Sequence, residues 1–424
     1  MNKVLIISPH FPPSNLAAVH RSRLFAQHMP AFGWQPIVLT VDEKYYEEAL
    51  DYNLVKLLPA SLKIIKCGAF KVTKPRIIGD IGLRGFWQLY NVARNIVKEQ
   101  KIDFVYIPIP SFYVSLIGRM LHKATGVAYG IDYIDPWVHT FPQKTLRHRL
   151  SETVAKTLEP IAVKYASLIT GVAEGYYAGV IERNPHLKKS CFFAAMPYGG
   201  EQQDHDAIKR LSISPYLFNK SDKTQLVYAG AMLPKAYEPL EKVFESIAAN
   251  KQQFQDVEIH FIGTGKSPND KNGYNIKPLA IKYGLWGSII FEYPARIPYL
   301  DVLIHLDAAD GVFILGSTEP HYTPSKVYQA VLSGKPVLAL LHSESNALEL
   351  LQDTKAGIVL PIIPEDLNGI EQQFSDTFQQ YIAFMHLFDK NAVNKEAFNK
   401  YSAYAVTKIL CDALEKIQPK QRIR

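Results

Sequence analysis

The chain has 424 residues, 47% of them hydrophobic, 12% aromatic and 21% charged. At about 150 residues per domain this is a chain of two or three domains, with too much apolar content and too little Pro and Gly for a disordered or collagen-like polymer. No window approaches the roughly eighteen consecutive apolar residues of a membrane-spanning helix, and a net charge of +7 permits nucleic acid, anionic lipid or a phosphorylated small molecule without selecting one.

The opening MNKVLII reads as a first β-strand. Its apolar run is short and β-branched, and Pro-rich polar sequence follows where a signal peptide would place a cleavage site. Further strands are expected at Pro36–Val41, Asp103–Pro108, Val127–Asp132, Ser167–Val172, Gln225–Gly230, Val257–Ile262, Ser288–Glu292, Gly311–Leu315, Pro336–Leu341 and Gly357–Leu360, with Lys3–Ser8 as the first. Amphipathic stretches alternate with them: Leu24–Phe32, Phe86–Val97, Leu240–Ala249 and Ile297–Leu306. Near-continuous apolar strands separated by helices imply parallel sheets covered on both faces, an α/β architecture. Met196–Asp206 is polar and aperiodic and reads as the start of an interdomain linker. The expected organisation is a first Rossmann-like domain over residues 1–197, a second over 198–395, and a helical tail, Glu396–Ile417, within 396–424 that returns to the first domain. Two doubly wound domains bury ligands best where the carboxyl ends of both sheets face a shared cleft.

Five segments carry candidate chemistry. The loop SPHFPPSNLAAVHR, Ser8–Arg21, leaves the first strand and enters a helix that Ser14 or Asn15 can cap. It is either an ordinary strand–helix connection or, with His10, Asn15, His20 and Arg21, a surface for an anionic or hydroxyl-rich ligand. In GIDYIDPWV, Asp135 stands just past a strand, where it either caps a turn or orients an acceptor hydroxyl and takes up its proton; Asp132 competes for that role. LVYAGAMLPK pairs Gly230, which admits a phosphate to the backbone, with the compact cation of Lys235. HFIGTGKS adds a second glycine turn at Gly263 and Gly265, but it completes neither a Walker loop nor a dinucleotide fingerprint. TPSKVYQAVLSGKPV places Ser325 and Lys326 at a helix start that Pro324 opens and Gly334 closes. A lysine there opposes the helix dipole, and a bound phosphate or acidic sugar would offset that cost.

Taken together, PHFPPS with GWQPIVLT, the Asp-Pro-Trp segment, the two glycine turns and PSKVYQAVLSGKPV resemble the family 4 retaining glycosyltransferases of the GT-B type, a bacterial surface-polysaccharide branch. The resemblance covers nearly the whole chain. It implies two facing doubly wound Rossmann-like domains and a cytoplasmic enzyme, placed at the inner face of the membrane. The enzyme would move a sugar from a nucleotide-sugar to a hydroxyl of a glycan or lipid-diphosphate-linked saccharide, with retention and without metal or other cofactor. Asp135, Lys235 and Lys326 would then be catalytic, the lysines balancing charge on the departing diphosphate. Gly230, Gly263, Gly265, Glu319, Tyr322, Thr323, Ser325 and Gln329 would bind the donor, and His10, Asn15 and Arg21 the acceptor. The chain departs from the pattern where Asn15-Leu16-Ala17-Ala18 replaces a Gly-Gly pair, and where His321 and Gln329 occupy the registers of two glutamates. An epimerase of the same architecture and a non-catalytic nucleotide- or glycan-binding protein are the rival readings.

A basic stretch, Lys63–Arg84, holds Lys63, Lys66, Lys71, Lys74, Arg76 and Arg84 against Asp80, interleaved with Phe70, Ile77, Ile78 and Leu83 and followed by Trp87. It is either a solvated loop or a surface for anionic membrane or a lipid-diphosphate acceptor. No nucleic-acid-binding module is present in the sequence.

Overall fold

The computed structural model describes residues 1–73, 78–138, 145–210, 213–267, 270–320 and 324–421. The chain divides into two compact units, one formed by residues 1–198 with 403–424, the other by residues 199–402.

The first unit is built on seven strands: β1 Asn2–Ile7, β2 Trp34–Val41, β3 Lys63–Cys67, β4 Phe104–Ile109, β5 Ala128–Tyr133, β6 Leu168–Gly171 and β7 Phe192–Ala195. They run parallel in the order β3-β2-β1-β4-β5-β6-β7. The central strands are buried on both faces, as their unbroken apolar runs require. One face is covered from the helices Phe86–Gln100 and Ser115–Thr125, through Leu89, Ala93, Ile117 and Leu121. The other is covered by the helix Ala17–His28 and by the C-terminal helix Ala403–Gln421, which buries Val406, Leu410, Leu414 and Ile417 beside Val4, Ile6 and Trp34.

The second unit has six parallel strands: β8 Thr224–Ala229, β9 Val257–Ile262, β10 Ile290–Tyr293, β11 Gly311–Leu315, β12 Val337–His342 and β13 Gly357–Ile362. Their order is β10-β9-β8-β11-β12-β13. In each sheet the order reverses once, between β1 and β4 and between β8 and β11. Loops leaving the carboxyl ends of strands at such a reversal diverge and leave a crevice.

Three expectations are corrected. β3 and β7 were not expected as strands; each is an edge strand of four or five residues with most of its side chains partly exposed, so neither shows a buried apolar run. The segment Met196–Asp206 holds the boundary between the units, at 198/199, but it is ordered rather than aperiodic. Met196 is buried, residues Gln202–Ile208 are helical, and Glu201, Asp204 and His205 are buried with partners. The tail is interrupted: a short helix, Lys395–Asn399, ends before residues 400–402, and the long helix starts only at Ala403.

Candidate functional site

At the β1–β4 reversal, Ser8, Pro9, His10, Leu16, Ala18 and Ser22 face Pro108, Pro110, Ser111 and Ile134 across a small cleft. Ser8 Oγ lies 3.0 Å from Ser22 Oγ and donates to the backbone oxygen of His10 at 2.8 Å. His10 Nδ1 is 2.8 Å from Glu48 Oε1, which also accepts a hydrogen bond from Ser14 Oγ. Neither Ser14 nor Asn15 caps the following helix; Leu16 is at its N-cap, with no side-chain cap bond.

Arg21, expected at the acceptor, is held by the fold itself. It is buried and donates through Nε and Nη2 to both oxygens of Asp132, the latter at 3.0 Å, and through Nη1 to the backbone oxygen of Pro197 at 2.9 Å. Asp132 also accepts from Thr170 Oγ1 at 2.8 Å, and Thr170 is bonded to Tyr106 at 2.7 Å. Each guanidinium nitrogen of Arg21 and each carboxylate oxygen of Asp132 thus has a protein partner inside the core. Asp135, two residues beyond β5, is exposed, while Trp137 stacks on Phe112 with ring centroids 5.8 Å apart. Asn15 is partly buried and has an interaction partner.

The second unit places Lys235, Arg296 and Lys326 in the segments that follow β8, β10 and β11. Lys326 is the first residue of the helix Lys326–Leu332, with Ser325 at the N-cap. Its side chain runs across Gly230, and its ammonium lies 5.9 Å from the centroid of Tyr228. A Cβ at Gly230 would overlap Lys326 Cε, and the φ of +151° also disfavours a side chain there. Burial, with the positive charge of Arg296 added, pulls the lysine from its ordinary value of 10.5 down to about 8. Among the described residues no carboxylate pairs with Lys326. A buried cation beside a second cation is costly unless an anion joins them.

Gly263 and Gly265 form the turn after β9. Gly265 N donates to the backbone oxygen of Pro294 at 2.9 Å, and a Cβ there would come within 2.5 Å of that oxygen. The glycine therefore lets this turn close on the loop that carries Arg296. Lys235 does not join Lys326: it forms an ion pair with Glu319 at 3.0 Å, and about half of each side chain is exposed. Such a surface pair is weak, worth at most about 1 kcal/mol, and opens readily. Gln329 receives a hydrogen bond on Oε1 from His205 Nε2 at 2.8 Å, and burial lowers the pKa of that histidine. His321, Tyr322 and Thr323 lie outside the described residues, as do Lys74, Arg76 and Ile77 of the basic stretch. Within that stretch Arg84 is buried, donating to the backbone oxygens of Phe70 and Tyr45, so it is no surface cation. Phe70 and Trp87 are exposed.

Sequence reasoning missed Glu48, His205, Tyr228 and Arg296. Arg296 was reachable as a basic residue just past a strand end; Glu48, in a loop far along the chain from His10, carried no local signal.

Two Rossmann-like units with all-parallel sheets in this strand order match the GT-B fold of solved glycosyltransferase structures. No protein-family model matches the chain, and no curated protein matches it in sequence. Solved structures do. A glycosyltransferase from Rickettsia africae has 14% identity and a TM-score of 0.62, covering 98% of this chain and 98% of its own. A sucrose-phosphate synthase from Thermosynechococcus elongatus has 14% identity and a TM-score of 0.65, covering 99% and 100%. Anabaena HepE in complex with UDP has 13% identity and a TM-score of 0.61, covering 98% and 100%. Among the described residues no helix is long and apolar enough to cross a membrane.

Proposed function

We propose that the protein is a glycosyltransferase that binds a nucleotide-sugar on its second unit and transfers the sugar to a hydroxyl of a glycan or lipid-linked saccharide. The observation that carries this reading is Lys326, a largely enclosed cation beside Arg296 with no carboxylate partner among the described residues. A diphosphate supplies the missing negative charge, and the same cations stabilise it as it departs. Lys235, once released from Glu319, adds a third positive charge; the missing side chain at Gly230 leaves room for Lys326 to lie there. The fold shared with HepE, solved with UDP and with UDP-glucose, supports a nucleotide-sugar donor.

The finer reading follows the sequence resemblance: retention at the anomeric carbon, a hexosyl donor, no required metal, a role in polysaccharide or glycoconjugate assembly, and work at the inner face of the membrane. Exposed Phe70 and Trp87, with Lys71 nearby, support the membrane contact. Asp135, exposed beyond β5, is assigned to the acceptor.

The test is a thermal-shift panel of UDP-, GDP- and CMP-sugars. A true donor at a hundred times its Kd stabilises the protein by about 2.7 kcal/mol. Lys326→Ala should lose most of that shift and at least tenfold in donor affinity, whereas Asp135→Asn should keep the shift and lose turnover with cell-derived lipid acceptors. A panel with no shift, or a Lys326→Ala variant that binds as well as wild type, refutes the assignment.

A further inference from the structure

The chain leading into β8 is fastened to the second unit by histidines. Residues 213–222 form no helix or strand and lie mostly at the surface, with Phe218 buried among them. Phe218 stacks on His260 of β9, ring centroids 4.3 Å apart, and lies 5.6 Å from His305 of the helix Tyr299–Ala308. His305 Nε2 receives the backbone N–H groups of Tyr216 at 3.1 Å and Leu217 at 3.2 Å, and its Nδ1 is 2.7 Å from the backbone oxygen of Asp301. The Tyr216 hydroxyl donates to Asp301 Oδ2 at 2.9 Å.

Two donors on one ring nitrogen define its protonation state. Nε2 offers a lone pair only in the neutral imidazole that carries its proton on Nδ1, where that proton reaches the Asp301 carbonyl. A proton added at Nε2 turns the acceptor into a donor facing two others, and both bonds are lost. His260 must stay neutral for a different reason. It is buried against Phe218 and Phe291, the latter 5.1 Å away, and Nε2 has no hydrogen-bond partner although Glu258 Oε2 lies 3.4 Å from it. A charged ring there would give up its hydration. Among the described residues, Asp301 and Tyr216 are the titratable groups at His305. Those at His260 are Glu258, Tyr293 with its hydroxyl 3.3 Å from Nδ1, and His305, with Lys223 4.0 Å from Glu258. Burial holds both histidines below their ordinary value of 6.5, against the pull of the two carboxylates.

We propose that residues 213–222 are an acid-released strap, held on the second unit while His305 and His260 are uncharged and let go when they take up protons. The fastened state binds fewer protons than the open one, so attachment is complete above about pH 6.5 and weakens as the pH falls below it. In the open strap a hydrated ring is mostly protonated at pH 5.5 and mostly neutral at pH 7.5. Opening therefore becomes about tenfold more favourable over that interval for each ring that stays neutral when fastened. Carboxylates titrate near pH 4, outside the interval. The device lies wholly in the second unit and does not depend on which ligand the protein binds.

Hydrogen exchange of the intact protein at pH 7.5 and 5.5, corrected for intrinsic exchange rates, tests this. Protection of the Tyr216 and Leu217 amides should fall about tenfold or more, while that of Leu226 and Val227 in β8 changes less than twofold. His305→Gln offers an amide oxygen that accepts hydrogen bonds and does not titrate; it should make the fall at least threefold smaller, with a melting curve to verify the fold. A proton-NMR titration of the wild type needs no variant: the His305 ring should titrate below pH 6.5, in step with the loss of strap protection. The proposal falls if wild-type strap protection changes less than twofold between the two pH values. It falls equally if His305→Gln with a wild-type melting curve loses as much protection as the wild type, or if His305 titrates at or above pH 6.5.

Discussion

Arg21 and Lys326 show how one residue type acquires opposite meanings. Both are basic side chains at or near the start of a helix, both read from sequence as ligand contacts, and Arg21 is wholly and Lys326 partly withdrawn from solvent. Arg21 has Asp132, Thr170 completes the network, and nothing remains for a ligand. Lys326 has another cation for its neighbour. Burial alone therefore does not identify a site; the sign of the surrounding charge does. Breaking a buried ion pair leaves one charge without compensation. Asp132→Ala should accordingly cost about 3–5 kcal/mol, read as a lower urea midpoint, with Asp132→Asn milder because it still accepts a hydrogen bond. An unchanged midpoint for Asp132→Ala would show that the pair contributes nothing to the fold.

The C-terminal helix Ala403–Gln421 is separated in sequence from the unit it completes by the whole of the second unit. Its apolar stripe and its return toward the first unit were expected from sequence, but the side chains it meets were not, since a helical period reports a buried face and never what covers it. It covers the first sheet beside β1 and β2 through Val406, Leu410, Leu414 and Ile417. Each fully buried aliphatic side chain contributes roughly 1.5–3 kcal/mol, so the four together approach the net stability of a domain. Leu410→Ala should lower stability by about 2–5 kcal/mol. A chain ending at Ser402 should be insoluble or molten, as followed by soluble yield and near-ultraviolet circular dichroism. A truncated chain that melts like the intact one would mean the helix is an accessory.

Across the molecule, the +7 charge and the exposed Phe70 and Trp87 lead to a salt-dependent prediction. Sedimentation with vesicles containing phosphatidylserine should capture the protein at low salt and release it near 0.5 M, where the Debye length shrinks to a few ångströms. Trp87→Ala should weaken capture at every salt concentration. Equal binding to neutral phosphatidylcholine vesicles would refute the electrostatic part. The same comparison bounds what was legible beforehand. All eleven strands expected from apolar runs are strands here, because a doubly covered parallel sheet writes its burial into consecutive residues. The two that went unnoticed are edges, where one side of the strand has no neighbour and the apolar run thins out.

Strand–helix alternation, the parallel sheets and the repeat of one architectural plan were thus readable from residue order, since each depends on contacts or periodicities within a short span of chain. The pairing of His10 with Glu48, the closing of Lys326 over Gly230 beside Arg296, and the locking of Arg21 against Asp132 were not. These partners are 30 to 111 residues apart in sequence, and charge, burial and hydrogen bonding act through space. A side chain's role as ligand or as core is settled by what the folded chain places against it.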